Sequence, residues 1–256
     1  MSAPSISRWH DSALLPLDDA RSAGLSIIAA DSWLVDDGKT LALDLHRIRF
    51  FAAMGLSADA DAFWDAVIAA IPRSGPWFPR VELQRHGNDT RFVFRLRPAP
   101  ERTRSVRLAT HTGPDPRTSP KIKGPDTDAL LAARREAQAR GADEAVILSP
   151  DGSVVEGAWS AMLWWRGDAL CVPSPELDRV DSVTARSVIT LATALGVEVL
   201  YESVTAEDLD GLEIWVLSAL HGIRIVTAWI DGPSPAEEPG RLAIWQARLD
   251  RLRRPL

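Results

Sequence analysis

The feature that most limits the fold is the rhythm of the second half, where short apolar runs are joined by tight polar turns. Glu144 to Leu148 is followed by the turn Asp151-Gly152 and the run Ser153 to Val155, and Met162 to Trp165 and Ala169 to Val172 flank Arg166-Gly167-Asp168. Runs rich in β-branched and aromatic residues, separated by Gly and Asp, read as strands of hairpins. Val197 to Tyr201, Glu213 to Leu217 and Ile223 to Ile230 extend the sheet. Two helices interrupt it, one from Asp126 to Arg140 with Gly141 just past its end, the other capped by Thr184 and ending before Gly196. A sheet so rich in hairpins, without a glycine-rich nucleotide fingerprint, is not of the Rossmann type.

The first half is mixed as well. Residues 25 to 35 read as a strand ending in the turn Asp36-Asp37-Gly38. From Asp44 to Gly55 the apolar spacing places Leu45, Ile48, Phe51 and Ala52 on one helical face, with Gly55 as the stop, and Asp59 to Ala70 is a second amphipathic helix ended by Pro72. Strands follow at Arg80 to Arg85, Arg91 to Arg97 and Ser105 to Thr110. The stretch His111 to Pro120, HTGPDPRTSP, carries three prolines and no large apolar side chain, and reads as a boundary. The expected organisation is an α+β chain of two lobes: a small N-terminal lobe over 1–113, a linker over 114–123, and a larger β-rich lobe over 124–256. Arg241 to Arg254 closes it as a basic amphipathic helix.

Charge narrows the function. A net charge of −6 over 256 residues argues against nucleic acid held by a general positive field, and the arginines at 91, 95, 97, 102, 104 and 107 read as a solvated sheet face. The single cysteine, Cys171, forms no internal disulfide, and Met1 to Gly24 shows no basic segment followed by an apolar run, so a cytoplasmic chain is expected. The uncharged stretch Ser187 to Val197 is too short to span a bilayer. His10, His86 and His111 are scattered without metal-ligand spacing. Trp159, Trp164 and Trp165 read as core residues on strands.

Among 29 basic residues only Lys39, Lys121 and Lys123 are lysine. Arginine replaces lysine as a surface charge but cannot form an imine, so two lysines close together beside a domain boundary are worth following. The ordered set around them is KGPDTDALLAARREAQARGADEAVIL, then VVEG at 154–157, a Val183-Thr184 helix start, and the late loop Ser218-Ala219-Leu220. This set resembles the class IV, fold-type IV, pyridoxal-phosphate enzymes, the group of D-amino-acid and branched-chain aminotransferases and 4-amino-4-deoxychorismate lyases. The resemblance runs from about Leu25 to Gly232 and implies the two-lobed fold of D-amino-acid aminotransferases, a pyridoxal 5′-phosphate cofactor and a homodimer.

Residue by residue, the resemblance implies that Lys123 forms the imine and moves the α-proton, with Lys121 as its rival. It implies that Glu156 pairs with the pyridine nitrogen, though alone a glutamate at a strand end is more often solvated. Val183 and Thr184 would bind the phosphate at a helix N-terminus, where unpaired N–H groups favour an anion, although a plain Thr cap looks the same in sequence. Ser218 and Ala219 would form a second phosphate loop. Arg47, in DLHRI, resembles the arginine of the family's H-L-x-R-L pattern, with Asp44 in place of the histidine and Arg49 as competitor.

Two departures stand out: Ala161 replaces the Asn that commonly follows the glutamate motif, and Tyr201, the only tyrosine, does not fall where many relatives place a tyrosine beside the cofactor. His221 adjoins the phosphate loop, where it reads as structural before it reads as a substrate contact. The expected function is an aminotransferase-type reaction on an amino acid. The alternatives are aminodeoxychorismate lyase, which releases pyruvate and 4-aminobenzoate, and a cofactor-free binding module.

Overall fold

The computed structural model describes residues 5–18, 25–52 and 58–256. Contacts divide the chain into two units, the first of 1–101, 122–125 and 252–256, the second of 102–121 and 126–251. This division differs from the expected one in three places. The strand at 105–110 belongs to the second unit, the lysine segment 122–125 returns to the first, and so does the C-terminal end.

The first unit has strands β1 (Ser5–His10), β2 (Ala13–Pro16), β3 (Ser26–Ser32), β4 (Val35–Asp36) and β5 (Lys39–Thr40), then helices α1 (Leu43–Phe51) and α2 (Ala58–Ala70), then β6 (Pro76–Trp77), β7 (Arg80–His86) and β8 (Asp89–Leu96). Five of these strands form one sheet in the order β2-β1-β8-β7-β3. Its apolar face, with Trp9, Val81, Leu83, Phe94 and Leu96, shares one core with Phe50 and Phe51 of α1 and Phe63, Trp64 and Val67 of α2. The rings of Phe63 and Phe92 stack at 4.7 Å. The hairpin β1–β2 was not legible in the sequence because its turn, Asp11-Ser12, lacks glycine, yet both residues take positive φ, 48° and 60°. The helix stop expected at Gly55 lies outside the described residues. The C-terminal helix ends at Asp250, and Arg254–Pro255 pairs with β5 as a short strand.

The second unit has β9 (Ser105–Thr110), α3 (Thr127–Ala139), β10 (Glu144–Leu148), β11 (Val154–Gly157), β12 (Ala161–Arg166), β13 (Ala169–Pro173), α4 (Val183–Ala194), β14 (Val199–Glu202), β15 (Glu213–Ser218), β16 (Gly222–Ile230) and α5 (Arg241–Asp250). The eight strands form one mixed sheet, β11-β10-β9-β16-β15-β12-β13-β14, curled so that β11 also meets β12 and β13. The hairpin rhythm accounts for the antiparallel pairs β10–β11, β12–β13 and β15–β16, whereas β12 and β15 pair across the chain. The parallel pairs β9–β10 and β13–β14 are built differently, by crossovers through α3 and α4. Inside the curl, Leu108, Val146, Met162, Trp164, Ile214 and Val216 form a core. Trp165 and Trp215, 5.2 Å apart between ring centroids, meet Trp245 of α5 at 5.4 and 5.8 Å. Trp164 and Trp165 are thus core residues, whereas Trp159 is 44% exposed. Among the described residues no helix is long and apolar enough to cross a membrane.

Two caps depart from the sequence reading. Helix α4 is capped by Ser182, whose hydroxyl accepts from Ala185 N at 3.2 Å, so Thr184 lies inside the first turn. Asp126 precedes α3, but its carboxylate turns away to accept from Thr118 N, Thr118 Oγ1 and Ser119 N. Those bonds fix the proline-rich stretch expected to be a linker.

The lysine segment is held on the edge of the first unit's sheet, where Lys123 C=O accepts from Ala30 N at 2.7 Å. Gly124 follows with φ 127°, and a Cβ there would stand 2.6 Å from Ala30 N and 2.9 Å from Ala29 C. A side chain at 124 therefore meets both backbone strain and overlap with a strand that cannot move aside. Gly124→Ala is expected to lower stability by about 2 kcal/mol or more, read as a fall in urea midpoint; an unchanged midpoint would contradict this contact.

Candidate active site

In the first unit, Lys123 is half-buried, its peptide bonded to β3. On the same strand Asp31 is fully buried. Its carboxylate takes a two-pronged contact from Arg49, Nε to Oδ2 and Nη2 to Oδ1 both at 2.8 Å, and lies 2.8 Å from His46 Nδ1. The charges of Arg49 and His46 outweigh burial and hold the Asp31 carboxyl well below the usual carboxylate range, while burial pushes His46 down. Lys123 is close enough for its charge to add to that downward push on His46. Arg47 points elsewhere: it pairs with Asp61 of α2, both side chains being more than 40% exposed, and its Nε has no hydrogen-bond partner. The helix thus brings His46 and Arg49 together on Asp31 and leaves Arg47 on its flank. Counted from His46, the H-x-x-R spacing ends on Arg49, two residues along from the reading that used Asp44.

In the second unit, Lys121 is 72% exposed and pairs with the exposed Asp178 at 2.8 Å. Glu156, near the end of β11, is 6% exposed. Its carboxylate is bound by Arg117 Nη1, and Asp115 takes the opposite edge of the same guanidinium at 2.7 and 2.9 Å. Although burial opposes it, the two carboxylates push the Arg117 guanidinium up. Arg117 was missed in the sequence because it lies in HTGPDPRTSP, whose composition reads as loop. Only 2% of its side chain is exposed. Arg179 stands close enough to feel both Glu156 and Tyr201. It borders an open cavity of about 470 Å³ that Ala161, in the place of the family's Asn, and Tyr201 also line.

Val183 and Thr184 are 3% and 2% exposed. The Ser182 hydroxyl is spent on Ala185 N and the Ser182 carbonyl on Arg186 N, and neither Val183 N–H nor Thr184 N–H donates to an acceptor among the described residues. The same holds for Ala219 N–H and Leu220 N–H in the turn after β15. Ser218 Oγ accepts from His221 N at 3.2 Å. His221 Nδ1 accepts in turn from Thr103 N at 3.1 Å, which makes this histidine a brace of the loop. Among the described residues no cluster of His, Cys, Asp and Glu is placed to hold a metal ion.

Burial, with the charges of Arg224, Arg134 and Arg102, pushes His221 down to about 4. The unfolded chain takes up this proton near pH 6.5, the folded chain only near 4, so the stability it contributes is complete above pH 6.5 and is lost as pH falls towards 4. His46 is shifted in the same direction. The urea midpoint is expected to fall between pH 7 and 4.5, and to fall less in His221→Gln; equal slopes in the two proteins would refute the brace.

No curated protein matches the sequence significantly. Among solved structures, a hypothetical aminotransferase from Mycobacterium tuberculosis in its PLP-bound form superposes with a TM-score of 0.83 at 20% identity, covering 98% of both chains. A fold IV transaminase from Curtobacterium pusillum gives 0.80 at 20% identity, over 96% of this chain and 97% of that one. A putative 4-amino-4-deoxychorismate lyase from Legionella pneumophila gives 0.74 at 16% identity, over 86% and 90%. These likenesses show the fold of the fold-type IV enzymes. The model of the amino-transferase class IV family matches residues 29–229, and the chain belongs to that family of enzymes.

Proposed function

We propose that the protein is a pyridoxal-phosphate-dependent enzyme of the aminotransferase type that acts on an amino acid, with Lys123 as the residue that holds the cofactor covalently. The observation that carries this is the contrast between two lysines. Lys123 is fixed through its own carbonyl to β3, whereas Lys121 is an exposed partner of Asp178. A reacting amine needs a fixed origin, which only Lys123 has.

The other residues fit the group. The unspent N–H donors of Val183 and Thr184 at a helix N-terminus, with those of Ala219 and Leu220, suit a phosphate dianion. Arg49, oriented by Asp31, fits the role of phosphate arginine better than Arg47, whose guanidinium is engaged by Asp61. Glu156 offers a buried carboxylate to a ring N–H, and Arg117 fixes its orientation. When bound, the cofactor supplies a protonated ring that takes up the electron pair left as the substrate loses its α-proton. The Lys123 amine receives that proton and returns it, the step for which a lysine beside the substrate carbon is suited. The Glu156 carboxylate would balance the charge of that ring. As in the resemblance, a homodimer is the assembly we propose.

Borohydride reduction of the protein supplied with pyridoxal phosphate, followed by peptide mass analysis, is expected to fix the cofactor on Lys123 and to leave Lys121→Ala unaffected. A Lys123→Ala protein that kept the visible band and turnover would overturn the assignment, and absence of any band in the wild type would favour a cofactor-free module. Transfer of an amino group from a D- or L-amino acid to 2-oxoglutarate supports the aminotransferase; pyruvate release from aminodeoxychorismate alone would turn the reading to the lyase. For the phosphate, Arg49→Gln is expected to weaken pyridoxal-phosphate binding tenfold or more and Arg47→Gln less than twofold, by equilibrium titration. The reverse order would restore Arg47.

A further inference from the structure

Strand β15 turns into β16 through residues 219–221, with Ser218 pairing with Gly222 across the turn. Gly222 takes φ 69°, a left-handed value that lets so short a connection close. Within this turn the tautomer of His221 is fixed by its partner. Nδ1 lies 3.1 Å from Thr103 N, and a peptide N–H can only donate, so Nδ1 carries the lone pair and the ring proton sits on Nε2. No acceptor among the described residues takes that Nε2–H, and the ring is half-buried rather than sealed.

The surroundings of the ring are cationic. Arg224 of β16, Arg134 of α3 and Arg102 ahead of β9 all act on it, and burial together with these charges pushes the imidazole down to about 4. Two carboxylates at the start of β10 stand against them. Glu144 is 2% exposed and 4.0 Å from Arg224 Nη2, but burial pushes it up, which weakens it as a counter-charge. Asp143 is felt by Arg224 as well, yet its Oδ2 already accepts from Arg107 N at 2.8 Å and lies 3.7 Å from Arg107 Nε. Arg224 itself is 5% exposed, and its Nε has no hydrogen-bond partner. Buried guanidinium short of carboxylate is relieved by an anion.

The turn supplies the donors for one. Ala219 N–H and Leu220 N–H have no acceptor among the described residues, and His221 Nε2–H follows them directly in the chain. All three donors are neutral, two from the backbone and one from an imidazole whose proton is fixed in place. Such a donor holds an oxyanion without having to be charged, so its grip does not fade as pH rises through the usual histidine range.

We infer that His221 is a binding residue for an oxyanion seated on the 219–221 turn, donating its Nε2–H beside the N–H groups of Ala219 and Leu220. The oxyanion is the cofactor's phosphate or the substrate's carboxylate. The inference rests on the reading of this turn as part of the cofactor site. The two ring nitrogens then have two tasks, Nδ1 bracing the loop and Nε2 binding.

Substitution separates the tasks. Asparagine keeps an acceptor where Nδ1 stands and has no donor at the place of Nε2, whereas glutamine reaches that place with its amide and gives up the brace. In calorimetric titration of the cofactor-free protein, inorganic phosphate is expected to bind His221→Asn about tenfold more weakly than wild type and His221→Gln within about twofold of it. The same loss for acetate in the cofactor-loaded protein, with phosphate unaffected, would uphold the inference and assign the substrate's carboxylate as the group. Nitrogen-15 NMR of the histidine rings should show the His221 proton on Nε2 alone down to about pH 5, and that signal should move when the anion is added. A proton on Nδ1, equal losses in the two variants, or phosphate and acetate affinities untouched by His221→Asn in a protein with the wild-type melting profile would overturn the inference. Phosphate binding that depends on His221 in a protein whose Lys123 borohydride fails to label would uphold it and overturn the lysine assignment instead.

Discussion

A lysine that is to react repeatedly must be anchored by its backbone, because its four-carbon stem is not rigid. For Lys123, the lysine we propose as reactive, the anchor is the bond from Ala30 N to its carbonyl, and the glycine that follows is what permits it, since any side chain at 124 would collide with the strand. The chain leaves the first unit at residue 101, builds β9 and the Asp115–Arg117 turn of the second, and returns for only 122–125. Those four residues carry Lys123, whose backbone is bonded to β3. On either side of β3 the polar groups are sorted, with Asp31, His46 and Arg49 towards the helices and Glu82 with its arginines on the other face.

Buried charge is costly unless paired, and this protein sets its charges in pairs with a third group attached. Asp31 is shared by Arg49 and His46, Glu156 is held by an arginine that Asp115 also holds, and Glu82 is shared by two arginines and a glutamine. Each arrangement fixes the direction of a side chain as well as neutralising it. In the helix and loop termini the opposite holds, for the N–H groups of Val183, Thr184, Ala219 and Leu220 have no acceptor among the described residues. Such donors, buried or half-buried, fit an anion better than water.

The regular elements were legible because periodicity and turn chemistry are local. The strands from Glu144 to Ile230 and the helices beginning near residues 58 and 127 follow from apolar spacing and from Gly and Asp turns. What was not legible depends on contacts across the chain. The Asp11-Ser12 hairpin has no glycine to announce it, Ser182 rather than Thr184 caps α4 because its hydroxyl is one turn position better placed, and the C-terminal strand exists only because β5 is there to pair with it. Arg117 illustrates the same limit. Proline-rich surroundings give it the look of a loop residue, while Asp115 and Glu156 bury it.

By itself the sequence determined the class of fold, the scarcity of lysine and the order of motifs that marks the class IV family, since each is written in local pattern and spacing. Only the tertiary structure gives chemically identical neighbours different surroundings. Lys121 and Lys123, or Arg47 and Arg49, are separated by two residues and differ little in sequence, but two residues change the side of a helix or the strand a segment lies on. One of each pair is turned to an exposed carboxylate and the other is fixed within the fold. The arginines of β7 and β8 were ambiguous for the same reason. Strand alternation puts them on one face, and only the burial of Glu82 beneath them shows that the face is withdrawn from water.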